Sequence, residues 1–339
     1  SELKLRKACS LTLAMNKSTP ADPTNPLEVE PLIAQTANVA RHSKRDMPVA
    51  VVRSVSTCRW MHVCAAATLV TTLGTLALLC VLRPPWDIPE PPPGPYEVSQ
   101  IEYTINGVYK CGGSLTRMFY PRNGTGPFHV VVYAHGSGGF ERERRDSTLA
   151  YIASQGFIVL APNTGRFRMP ECYSGTEWQD VLMALRLSKS DAHHEVLAKA
   201  DWSRTALWGF SMGGKAVCRA AQEPGYGIKA MVAQNGARNG SAISVPSMFL
   251  TATMDRSSSP PEIVKKEYQI LKAPATVYAN VKQQGHVLHG NMERWMATWI
   301  AKFLLCEVNE APDMCDAIYG NAPGSLCQSS LFAECSSTH

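Results

Sequence analysis

The 339-residue chain lacks several patterns that would assign it to a common functional class. It has no Cys-x-x-Cys pair and no histidine spacing to match one, which removes a structural zinc site. No Gly-Lys-Ser or Gly-Lys-Thr follows its glycine-rich stretch at 136–139, and that stretch does not fit a dinucleotide fingerprint. A phosphate cradle is therefore excluded there. Basic and aromatic residues are not interleaved, and the formal net charge of +5 belongs mostly to the amino-terminal stretch, so nothing argues for a nucleic-acid partner. No internal repeat is visible, and no cofactor or metal is implied. Formal charge is missing from Met61 to Leu82, and neither Lys nor Arg follows Lys302.

The uncharged run 61–82 is rich in Leu, Ala, Val and Thr and is long enough to cross a bilayer as a helix. Trp60 and Trp86 flank it where interfacial aromatics are expected, and Arg83-Pro84-Pro85 with Pro89–Pro95 ends it in an extended spacer over 83–96. A buried core helix is the alternative, but the run has no polar face. It starts far from residue 1 and lacks a clear small-residue cleavage site, so it is expected to be a retained signal-anchor. Arg41, Lys44, Arg45, Arg53 and Arg59 precede it, whereas Arg83 is soon balanced by Asp87 and Glu90. That bias predicts a single-pass type II topology with the catalytic domain lumenal or extracellular. Residues 1–60 have no sustained periodicity and are expected to form a disordered basic cytosolic tail.

Cysteine use agrees with an oxidising compartment. Cys111, Cys172, Cys218, Cys306, Cys315, Cys327 and Cys335 lie beyond the run, four of them in a polar stretch at 306–339. This cysteine-containing tail is too polar to form a core, so disulfides are expected to fasten it. The odd count leaves one thiol over, and Cys218, falling in a helix, is expected to serve packing. Asn123-Gly-Thr and Asn239-Gly-Ser would be glycan acceptors in a lumenal domain.

From residue 97 to 305 short apolar runs alternate with amphipathic ones. Strands are predicted at 101–105, 115–120, 128–134, 157–161, 204–209, 229–234, 247–251 and 275–281. Helices are predicted at 148–154, 176–187, 263–271 and 291–305, with another directly after Ser211. Apolar strands separated by helices predict an α/β fold with a mostly parallel central sheet covered on both faces. Its chemistry should sit in loops beyond the strand carboxyl ends.

Ser211 lies in Gly209-Phe210-Ser211-Met212-Gly213-Gly214, directly after the apolar run 205–208. A strand that ends in Gly-x-Ser-x-Gly and turns at once into a helix forces the serine into a strained turn with its hydroxyl exposed, the geometry of an acyl-transfer nucleophile. A serine hydroxyl needs a base, and the base needs an anion that orients it. His286 and Asp255 each follow a predicted strand and are the candidates. Asp191, Asp201, Glu262, His193, His194 and His289 are weaker rivals by position. The amide of Met212 and a second amide from the loop His135-Gly136-Ser137-Gly138-Gly139, most naturally that of Ser137, are candidate oxyanion donors. Phe210 and Phe140 are expected beside an open substrate cleft.

The stretch Asp201-Trp-Ser-Arg-Thr-Ala-Leu-Trp-Gly-Phe-Ser-Met-Gly-Gly resembles the same region of bacterial cutinase-like polyester hydrolases and of the dienelactone hydrolase and chlorophyllase-like branch of the α/β-hydrolases. The interval from Ser211 through Asp255 to His286 is also similar to theirs, and the resemblance covers roughly 97–305. It implies an α/β-hydrolase fold, a Ser211–His286–Asp255 triad and an oxyanion hole at Met212 and Ser137. The chain departs from those families in three places. Phe210 stands where polyester hydrolases have Trp or His, Ser137 where they have an aromatic residue, and Ser211 where dienelactone hydrolases have Cys. Neither a polymer nor a dienelactone substrate follows from the sequence.

These features predict a serine hydrolase that cleaves carboxylic esters through an acyl-enzyme, without cofactor, on a small-molecule or lipid ester. An amidase or peptidase, a lipid-directed esterase or acetylhydrolase, and a non-catalytic membrane-tethered binding module are the alternatives. The sequence does not determine the oligomeric state.

Overall fold

A computed structural model describes residues 89–104, 115–137, 139, 145–163, 177–191, 193–257 and 259–339. The expected tail 1–60, the run 61–82, the first part of the spacer, Cys111, Phe140 and Cys172 lie outside the described residues. Among the described residues no helix is long and apolar enough to cross a membrane.

Among the described residues nine strands form one sheet in the order β1-β2-β4-β3-β5-β6-β7-β8-β9. They are β1 (Val98–Thr104), β2 (Leu115–Pro121), β3 (Phe128–Ala134), β4 (Phe157–Pro162), β5 (Ala200–Phe210), β6 (Ile228–Gln234), β7 (Ser247–Ala252), β8 (Thr276–Val281) and β9 (Phe332–Thr338). From β4 through β8 every neighbouring pair is parallel, while β1, β2 and β9 run antiparallel at the two edges. The helices are α1 (Asp146–Ser154), α2 (Glu177–Ser190), α3 (Met212–Ala220), α4 (Pro261–Gln269), α5 (Asn291–Asn309) and α6 (Pro312–Tyr319).

Strand periodicity explains why the core divides into two layers. Along β3, Val131 and Tyr133 point into one apolar layer and Val130 and Val132 into the other. The first layer also holds Leu149 and Ile152 of α1 and Trp299, Ile300, Phe303 and Leu304 of α5. The second holds Val181 and Leu185 of α2, Val217 of α3 and Val264 of α4. Both faces of the parallel strands are covered, so β4, β7 and β8 are buried at every position. The carboxyl ends of the parallel strands all emerge at one edge, and the site is built there.

The carboxyl-terminal stretch corrects an expectation. Residues 306–339 are not a tail without a core: Ile318, Leu326 and Phe332 are buried in the first apolar layer, and β9 pairs with β8 along its length. An edge strand needs one apolar face and backbone partners, and Phe332 with the β8 ladder supplies them despite the polar composition. Cys306–Cys315 joins α5 to α6, and Cys327–Cys335 closes the turn that leads into β9. Loops this short confer about 2.5 kcal/mol each in the chain-entropy account. Cys218 is a buried free thiol on α3.

Candidate active site

Ser211 occupies the sharp corner between β5 and α3, at φ 56° and ψ −114°. A non-glycine residue with that backbone costs about 1–3 kcal/mol, and the surrounding packing must hold it there. The flanking glycines explain how. A Cβ at Gly209 would overlap the carbonyl of Gly213, and a Cβ at Gly213 would overlap the carbonyls of Ala134 and His135. Only glycine lets strand, corner and helix approach this closely. The Ser211 amide donates to the Gln234 carbonyl at 2.8 Å, tying the corner to β6.

Asp255 stands just beyond β7 and is fully buried. Its Oδ1 accepts the amide of Ser257 at 2.8 Å, and its Oδ2 lies 2.9 Å from Nδ1 of His286. An ionised carboxylate can only accept, so this contact assigns the proton to Nδ1. Nε2 is then free of hydrogen and accepts from the Ser211 hydroxyl at 2.8 Å. Carboxylate, imidazole and hydroxyl thus form one hydrogen-bonded row drawn from the ends of β7, β8 and β5. The His286 side chain is 30% exposed, so the row opens to solvent at its reacting end.

The imidazole is also held from below and behind. Phe210 lies beneath it with ring centroids 5.0 Å apart, and the Arg145 guanidinium covers the other part of that ring at 3.9 Å. Phe210 is therefore only 5% exposed. It supports the imidazole and does not form an open wall of the cleft, because its position at the end of β5 turns it into the first apolar layer. Asn235, at the end of β6 with φ 51°, donates Nδ2–H to the His286 carbonyl at 2.5 Å. The amide oxygen of Gln284 receives the His289 N–H at 3.0 Å, bracing the loop from the other side.

The weaker candidates are engaged elsewhere. Asp191 accepts the Tyr103 hydroxyl, Asp201 accepts from Ser203, and the His194 ring packs edge-on to Tyr103. His193 and His289 are exposed, and Glu262 sits in the first turn of α4.

Ser137 and Met212 both line a cavity of 510 Å³ together with Ser211. Met212 opens α3, where the helix leaves unpaired amides and a partial positive charge. Gly139 donates to the Gly136 carbonyl at 3.1 Å, just after β3. The remaining described lining comes from Glu177 and Trp178 of α2, Lys215, Ala216 and Arg219 of α3, and Arg238 and Asn239 after β6.

The family model described as "PETase: PET hydrolase-like" matches residues 87–316. The chain belongs to the PET hydrolase-like family. Membership makes its domain an α/β-hydrolase, in agreement with the mostly parallel sheet and its flanking helices. Among curated proteins none matches the chain. The matched span of this PET hydrolase-like protein ends before β9, so the last strand and the second disulfide lie beyond it.

Several residues of this PET hydrolase-like site were not singled out from sequence. Asn235 follows a strand in Gln-Asn-Gly, a turn signal that could have marked a residue at the functional edge. Arg145 and Gln284 carry no local signature, because their roles arise only from packing. Burial raises the Glu177 carboxyl above the usual range, and burial together with the nearby Arg238 lowers Lys215. Among the described residues no cluster of His, Cys, Asp and Glu is placed to hold a metal ion.

Proposed function

We propose that this protein hydrolyses carboxylic esters by acyl transfer to Ser211. His286 Nε2 takes the hydroxyl proton as Oγ attacks the acyl carbon, and Asp255 keeps the imidazole in the required tautomer and stabilises its charged form. The amides of Met212 and Ser137 receive the developing oxyanion. His286 then gives the proton to the leaving alcohol, and water discharges the acyl-enzyme by the reverse use of the same base. No step requires a cofactor.

The observation that carries this reading is the row Asp255–His286–Ser211, with contacts of 2.9 and 2.8 Å, at a strained corner of a PET hydrolase-like domain. An ester substrate fits the PET hydrolase-like family to which the domain belongs. Exposure to a fluorophosphonate probe tests the proposal. Ser211 should carry the label, and Ser211→Ala should abolish both labelling and release of p-nitrophenol from p-nitrophenyl butyrate. Labelling that persists in Ser211→Ala would refute it.

The proposal extends to tethering. The uncharged run 61–82 would hold the domain at a membrane, with the basic residues before it on the cytosolic side. The two disulfides favour an oxidising compartment for the domain that follows.

A further inference from the structure

The cavity beside Ser211 is lined by more cations than acids among the described residues. Among its described lining residues, Lys215, Arg219 and Arg238 are cations and Glu177 is the one acid. Lys215 and Arg219 lie one helical turn apart on α3 and line the cavity together with Ser211 and Met212. They arrive there from the helix that directly follows the nucleophile. Arg219 is already engaged, with Glu223 at 2.7 Å and the Trp178 ring at 4.9 Å. Arg238 is exposed and makes no ion pair among the described residues. Glu177 is 5% exposed, and its Oε1 has no hydrogen-bond partner. Burial raises its carboxyl from the ordinary value, and the cavity's described lining still carries three cations to this one acid. Lys215 is lowered first by burial and second by the nearby Arg238, which places the two cations close together.

The position of the cavity assigns which half of an ester it receives. The leaving alcohol must finish beside His286, which protonates it. His286, Met254 and Val287 are not among the cavity's described lining, whereas Ser211 and the candidate oxyanion donors are. The acyl half is therefore the part that enters it.

Resting on the ester-hydrolase reading, we infer that the preferred acyl group carries a second, ionised carboxylate, received by Arg238 and Lys215. The substrate class is the monoester of a dicarboxylic acid. Hydrolysis breaks the acyl C–O bond, places the water hydroxyl on the acyl carbon and its proton on the leaving oxygen. The products are an alcohol and, once the new acid has released its proton to solvent, a dicarboxylate.

The test compares p-nitrophenyl hydrogen adipate and suberate with the same compounds capped as methyl esters, using the full chain in neutral detergent. In dilute buffer kcat/KM should favour the free acids by about ten-fold or more, the range of a hydrogen bond to a charged group. The preference should collapse in molar salt, which screens exposed charges. It should also fall in Arg238→Gln and in Lys215→Gln, and survive in Arg238→Lys. Equal or faster cleavage of the capped esters, or a preference that neither salt nor Arg238→Gln moves, overturns the inference. If the capped esters are cleaved and Ser211 takes the fluorophosphonate, that failure is confined to the anion site. If neither ester is cleaved and Ser211 takes no label, the hydrolase reading falls and this inference with it.

Discussion

Replacing Asp255 with Asn tests the site with the least disturbance of shape. Oδ1 of Asp255 is claimed by the Ser257 amide at 2.8 Å, while Oδ2 faces His286 Nδ1 at 2.9 Å. The asparagine carbonyl must therefore remain toward Ser257, since flipping the amide would set two N–H groups against each other. Its NH₂ then points at Nδ1, which can only respond by accepting. The imidazole proton moves to Nε2 and faces Ser211 Oγ, so the base can no longer take the hydroxyl proton. The expected loss is about 10⁴-fold in kcat, or roughly 5.5 kcal/mol in the barrier. KM should change little, because no group that touches substrate has moved. The thermal midpoint should also hold, since the substitution is isosteric and removes a fully buried charge. Rates for p-nitrophenyl butyrate would be followed from neutral to alkaline pH, alongside fluorophosphonate labelling and a thermal melt. Residual activity should rise with pH as hydroxide replaces the missing base. An Asp255→Asn enzyme within ten-fold of the wild type, with an unchanged melt, would refute the tautomer argument.

Gly213→Ala places a Cβ against the carbonyls of Ala134 and His135, backbone that cannot rotate away. It should cost about 1–3 kcal/mol in stability, and any folded enzyme should lose kcat as Ser211 is displaced; activity and melting both at wild-type values would contradict this. Burial pushes the Cys218 thiol up to about 12, so peptide mapping after alkylation near pH 8 should find it unmodified in the folded protein and modified after denaturation. Phe332→Ala should remove about 3 kcal/mol by emptying the anchor of β9, lowering the melting point by roughly 6–12 °C. A melting point within a degree of wild type would mean that β9 contributes little to the fold.

The alternation of charge-free apolar runs with amphipathic ones made the parallel sheet legible, because strands buried on both faces must be apolar throughout. The nucleophile corner was legible for a similar reason: Gly209, Ser211 and Gly213 answer to local sterics that any strand-to-helix turn of that sharpness imposes. Asp255 and His286 could be nominated because each follows a strand, and strand ends converge in such a sheet. Their contact is another matter. Ser211, Asp255 and His286 are far apart in sequence, and the 2.8 and 2.9 Å hydrogen bonds exist only because the strand order sets β5, β6, β7 and β8 side by side. The burial of Phe210 under the imidazole, the Asn235 brace and the gathering of Lys215, Arg219 and Arg238 at one cavity were likewise decided by tertiary packing. So was the conversion of a polar carboxyl-terminal stretch into α6 and β9. An edge strand draws its stability from a neighbour's backbone, and the residues of that strand carry almost no trace of the neighbour in their own composition.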